Sequence, residues 1–204
     1  MTLDPNLLLL SVACLYILVF GGLSFLRREG PSVQFALEVI VVTVLVLGLR
    51  LLGIVRIGPF LFLILLYLIT MRSRLVVDAA NLLAERGKYK AAFSLYRLGL
   101  AWWPDAASRL IVLTNRGTAE LFGGQVETAI QTLEAVLAVE NRPRLGLKYE
   151  AACRYNLGQA YAKKGDRAKA VQQLNEVIDL IPGSRYAQAA RITLTRWKES
   201  VAED

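Results

Sequence analysis

Three times between residues 80 and 170 a small residue, a glycine and an alanine recur at offsets of seven and then five. They are Ala80, Gly87 and Ala92; Gly117, Gly124 and Ala129; and Gly158, Gly165 and Ala170. The small residue lets a second helix approach closely, the glycine ends the first helix, and the alanine fits against the crossing. Four positions on, Tyr96, Leu133 and Leu174 fill the next gap. Pro104 and Pro182 then stop the second helix of the first and third copies, with Asn141 at that place in the second. A helical hairpin of this length cannot bury its apolar stripe alone, so the copies must stack, and the stack presents a concave surface.

The first 71 residues follow a different rule. Residues 7–26 hold no charge, which is about 30 Å of helix and matches the hydrocarbon thickness of a bilayer. A signal peptide is the rival reading, but no basic region precedes the run and no small-x-small site precedes Arg27, so a retained anchor is expected. Residues 33–49 are interrupted only by Glu38, and after Arg50, Arg56 and Gly58-Pro59 the chain is almost wholly apolar to Met71. Spans at 7–26, 33–50 and 58–72 are predicted, Pro59 suiting the first turn of the third. The alternative keeps residues 50–58 as an interfacial elbow with a single full crossing. Three spans place Arg27 and Arg28 with Arg72, Arg74, Lys88 and Lys90 on one side, which the basic excess makes cytoplasmic. Arg50 and Arg56 fall outside. With no break between Phe60 and Arg86, the third span is expected to run straight into the first repeat as a rigid link of about 40 Å.

Charge and composition exclude several classes. Residues 72–204 carry twenty of the 24 basic and fourteen of the 17 acidic residues, alternating in sign without a basic run among aromatics. That pattern argues against nucleic acid and for attraction to anionic lipid. The chain has no histidine, so the commonest general base and metal ligand are absent. Cys14 and Cys153 lie in different regions without metal-site spacing. No nucleophile motif or glycine-rich phosphate loop is present. No enzyme activity, metal or cofactor is expected.

Residues 73–184 resemble the tetratricopeptide repeat. The third copy carries the likeness through Leu157, Gly158, Tyr161, Gly165, Ala170 and Pro182. It departs at Arg154, where a large apolar residue is usual, and at Val177, where alanine is usual. The second copy has Glu120 and the first Leu83 at the tyrosine position, and Gly99 replaces an alanine. Turn glycines lie 37 and 41 residues apart, against about 34 in the family, which places additional residues near 105–109 and 141–148. The resemblance implies repeats at 73–106, 110–143 and 151–184 with a capping helix at 184–200. The fold expected is all-α: transmembrane helices over residues 1–71, then an α-solenoid of about three helix hairpins over 73–200.

In this family first-helix residues line the inner surface, here Asn81, Thr114, Asn115, Thr118, Tyr155, Asn156 and Gln159. A subset of the family clamps a peptide carboxylate with lysines and asparagines. Asn81 and Asn115 match the asparagines, but Val77 and Ala152 stand at lysine positions and Asn156 at an arginine, so that clamp is rejected. The polar, nearly neutral face suits an extended backbone or a partner helix, although several of its residues could instead bridge neighbouring helices.

Glu38 lies within two turns of the cytoplasmic boundary, and is expected to reach toward Arg27 or Arg28 rather than to carry protons. Trp102-Trp103 reads as an interfacial anchor or a protein contact, with packing under the next loop for one of the two.

The function expected is a membrane-anchored interaction scaffold, an assembly factor or accessory subunit of a respiratory, photosynthetic or envelope complex. Its partners would be other subunits of a membrane complex along the apolar helices, a protein or peptide in the groove, and the lipid bilayer. It would sit as a multi-pass protein in a cell (inner) membrane or internal bacterial membrane. The alternative is a small transporter or channel component with a cytoplasmic regulatory repeat domain.

Overall fold

In the computed structural model, which describes residues 4–26, 29, 32–138, 140 and 145–202, ten helices form and no strand occurs among the described residues. Arg27, Arg28, Asn141 and Pro143 lie outside them.

Three apolar helices come first: α1 (Pro5–Leu26), α2 (Val33–Leu51) and α3 (Pro59–Thr70). Helical spacing aligns Leu9, Ala13 and Tyr16 of α1 against Val39, Val42 and Val46 of α2 and Phe62 and Leu66 of α3, and these form the bundle's core. The outward faces stay apolar, with Leu15, Leu18, Val41 and Val44 more than half exposed. Helices α1 and α2 are long and apolar enough to cross a membrane. Ser32 caps α2 by accepting from the Phe35 amide, and Pro59 opens α3.

The expected straight link from the third span does not form. Helix α3 ends after twelve residues, and α4 (Arg72–Glu85) departs from it at 68°. The cause is tertiary, since no proline or glycine sits at the bend. The Arg72 guanidinium donates to both carboxylate oxygens of Glu38 on α2 (2.7 and 2.8 Å) and to the carbonyls of Ile69, Trp102 and Trp103. Satisfying those acceptors pulls the first turn of α4 sideways, and Met71 leaves helical geometry at φ −98°, ψ 8°. Thr70 donates its single hydroxyl proton to the Leu66 carbonyl, so Tyr16 is the donor in the 2.7 Å bond between the two side chains. Tyr16 lies midway along α1. The upper turns of α1 therefore rise past the end of α3 and stand beside the repeats.

The repeats are the hairpins α4/α5 (Tyr89–Ala101), α6 (Ala106–Phe122)/α7 (Val126–Val136) and α8 (Leu147–Lys164)/α9 (Arg167–Leu180). Gly87, Gly124 and Gly165 turn each hairpin at φ of 71°, 84° and 88°, a region L side chains resist. Ala80, Ala92, Ala129 and Ala170 are fully buried at the crossings. A Cβ on Gly117 would lie 2.8 Å from Leu133, and one on Gly158 3.1 Å from Leu174, so the small residues are a packing requirement. Helix α10 (Arg185–Ala202) closes the stack, burying Ala187 and Ala190 against Leu174 and Val177.

Two of the departures from the family pattern, Glu120 and Arg154, are buried charges with partners. Glu120 accepts from Arg116 and Thr132 at 2.8 Å each. Arg154 bonds Glu150, Glu176 and Gln173. Neither ion is left unpaired, as burial demands.

Candidate functional site: a groove between the repeats and the apolar helices

The first helices of the three hairpins face one hollow, a cavity of about 520 Å³. One wall is the inner surface of α4, α6 and α8. The opposite wall is the upper part of α1, through Phe20, Leu23 and Ser24, together with Phe35 of α2 and Tyr67 of α3. The groove is thus polar on the repeat side and aromatic on the side of the apolar bundle.

Five of the residues expected on the inner face line this cavity: Asn81, Thr114, Asn115, Thr118 and Asn156. Their spacing on α6, at i, i+1 and i+4, sets three of them on one side of that helix. Most of their hydrogen-bonding capacity is already engaged. Thr114 and Asn115 donate to the carbonyls of Leu110 and Ile111 at 2.8 Å, and Thr118 donates to that of Thr114. Asn156 donates to the Thr118 hydroxyl at 2.9 Å and ties α8 to α6. Asn81 accepts from the Tyr96 hydroxyl at 2.6 Å. Among the described residues no bond involves the Asn81 amide nitrogen or the Asn115 amide oxygen. The Asn156 amide oxygen is likewise in no bond, so the face offers one amide donor group and two amide acceptors, the complement an extended backbone needs.

Tyr155 and Gln159 do not line the cavity. The Tyr155 ring packs 5.9 Å from that of Tyr186 and joins the core beneath α10. Gln159 is half-buried elsewhere on α8.

Sequence reasoning missed the groove's ends and its second wall. Asp78, Asp105, Lys148 and Arg185 contribute charges of both signs to the rim. Asp105 also caps α6, accepting from the Ser108 amide at 2.7 Å. Arg74 holds Glu29, which precedes α2 and is buried, at 2.8 Å. Burial alone would lower the Arg74 guanidinium, but the hydrogen bond and charge of Glu29 outweigh it and raise it further above neutrality. The Arg74 guanidinium keeps its charge through the physiological range. No local signal marks the missing wall, since Glu29 has Arg27 and Arg28 beside it in the chain as nearer cations.

Glu38 also finds a cation, though a different one from that expected. Arg72 of α4 holds it bidentately, and Gln34 donates to it at 3.0 Å. Arg27 and Arg28 lie outside the described residues. The carboxylate is a link between α2 and the first repeat. Trp102 and Trp103 are both exposed, so neither packs under the loop that follows. Among the described residues no three acidic or cysteine side chains converge as a metal would need.

Residues 108–182 match the family described as tetratricopeptide repeat, over the second and third hairpins and the turn that follows. No curated protein and no solved structure matches the chain.

Proposed function

We propose, from the tetratricopeptide repeats in residues 108–182, that this protein is a membrane-anchored interaction scaffold that holds another membrane protein in its groove. Such repeats act by binding proteins. One observation carries the finer reading: the groove of about 520 Å³ has repeats for one wall and apolar helices for the other. An occupant must satisfy polar groups on one side and apolar rings on the other. A segment leaving the bilayer beside α1 has that composition. Single-span tethering would not need a three-helix bundle with apolar outward faces, which favours lateral packing against other subunits.

In this reading α1, α2 and the shorter α3 cross the membrane, the repeats are cytoplasmic, and Arg50 and Arg56 lie on the far side. The role is that of an assembly factor or accessory subunit, with binding and no chemistry. Glu38 lends no support to an ion path, since Arg72 already neutralises it.

The test places a photo-crosslinking side chain at Asn115 in native membranes, followed by purification in mild detergent. The expected product is one defined adduct to a membrane protein that co-purifies in fixed ratio. A chain that crosslinks only to itself and purifies alone refutes the proposal.

A further inference from the structure

Trp102 and Trp103 belong to no core and to neither wall of the groove, and their geometry is unusual. Trp102 caps α5, its amide donating to the Leu98 carbonyl. Trp103 has φ of 51°, the one non-glycine residue in the left-handed region among the described residues. A bulky residue persists there only when its surroundings over-determine it. They do so here. Arg72 donates to the Trp102 carbonyl at 2.9 Å and to the Trp103 carbonyl at 3.0 Å, and Gln34 donates to the latter at 2.7 Å. Glu38 in turn fixes both donors. The backbone is gripped from α2 and α4, and the two indoles are turned outward, 46% and 84% exposed.

The level at which they emerge identifies what they face. Gln34 and Glu38 lie in the first turns of α2, where the outward residues Val33 and Leu37 are exposed and apolar. That is the end of an apolar span, the height at which indole rings settle with an apolar body in the acyl region and an N–H among headgroups. In water, two exposed indoles on a strained turn gain nothing. At a bilayer boundary the same arrangement places them in their preferred environment.

We infer that Trp102 and Trp103 form a membrane foot: both rings insert at the headgroup boundary beside α2 and hold the first repeat against the bilayer. This rests on the reading of α1 and α2 as membrane spans. The surface is continuous with those helices, and lipid is its occupant.

The test uses the full chain in phosphatidylcholine vesicles carrying bromine near the headgroup or deep in the acyl chains. Three single-tryptophan versions are compared. One keeps Trp103 (Trp102→Phe, Trp197→Phe). One keeps Trp197 (Trp102→Phe, Trp103→Phe), which lies on α10 against the third repeat. The third adds Val44→Trp on the exposed face of α2, ten residues beyond Gln34 and about 15 Å deeper along the helix, with all three native tryptophans changed to Phe. Trp103 is expected to be quenched at least about twofold more than Trp197, and most by the shallow bromines. The Val44→Trp reporter responds most to the deep ones. If Val44→Trp is quenched while Trp103 matches Trp197, the foot is refuted, the spans stand, and a protein contact for the indoles is indicated. If Val44→Trp is not quenched either, the membrane reading fails and the foot fails with it.

Discussion

Replacing Arg154 with leucine, close to the apolar residue usual at that place in tetratricopeptide repeats, should damage this protein. The side chain is 7% exposed and bonds Glu150, at 12%, through two N–H groups at 2.8 and 3.0 Å. It also bonds Glu176, which is 38% exposed and can turn to water when released. Losing the Glu176 contact therefore costs about 0–1 kcal/mol. Glu150 cannot escape so easily, and stripping the partner from a buried ion costs about 3–5 kcal/mol. Its place in the first turn of α8 offsets about 0.3–1 kcal/mol through the helix dipole. The net expectation is a loss of about 2–6 kcal/mol, or about 1–3 M in urea midpoint at a slope near 2 kcal/mol per M. Adding Glu150→Gln removes the stranded charge and should restore stability to within about 1 kcal/mol of the parent. Urea titration of the full chain in detergent reads this through Trp197, with Trp102 and Trp103 changed to Phe. A single variant within about 0.3 M of the parent, or a double variant no better than the single, would refute the reasoning.

The two close-approach glycines should respond differently to alanine. Both gain about 1 kcal/mol of helix propensity, but at Gly117 the new Cβ lies 2.8 Å from Leu133 and overpacking removes about 1–3 kcal/mol, whereas at Gly158 it lies 3.1 Å from Leu174. Gly117→Ala should lower the melting temperature while Gly158→Ala leaves it nearly unchanged, and equal effects would contradict the distances. Glu38→Gln should raise amide exchange across residues 71–75 by about tenfold, equivalent to about 1.4 kcal/mol, because the charged half of the Arg72 link is lost. Unchanged exchange there would mean that Glu38 does not hold the bend. Burial pushes the Cys153 thiol from 9.0 up to about 12, leaving only about one molecule in ten thousand as thiolate at pH 8. A maleimide at that pH should label Cys153 only after urea unfolding. Tyr96 is likewise raised by burial from 10.0 to about 12. The folded chain thus holds protons the unfolded one releases, so the urea midpoint should be flat at neutral pH and fall as pH rises from about 9 toward 12. A midpoint that rises over that window reverses the predicted sign.

The repeats were legible because their signal is local. Positive φ at Gly87, Gly124 and Gly165 and close approach at Gly117 and Gly158 are demands made within one hairpin, and the spacing carries them. The bend at Met71 was not legible, since every residue from Phe60 to Arg86 tolerates a helix. It is imposed by Glu38 and the Trp102 and Trp103 carbonyls, 34, 30 and 31 residues from Arg72. The same distance hid the groove's second wall. Positions on first helices predicted Asn81, Thr114, Asn115, Thr118 and Asn156, but nothing near Phe20 or Ser24 announces that α1 outreaches α3. Tyr155 shares its helix with Asn156 but packs on Tyr186 of α10, a contact nothing local to it announces.

The 68° turn between α3 and α4 has a consequence for how a partner arrives. A straight column would have lifted the binding face clear of the lipid, open to anything diffusing through the surrounding fluid. Folding the column over sets that face against α1. Under the membrane placement proposed above, an approaching molecule is best placed if it already travels in the same sheet of lipid, its encounter is a search in two dimensions, and selection by address precedes selection by fit.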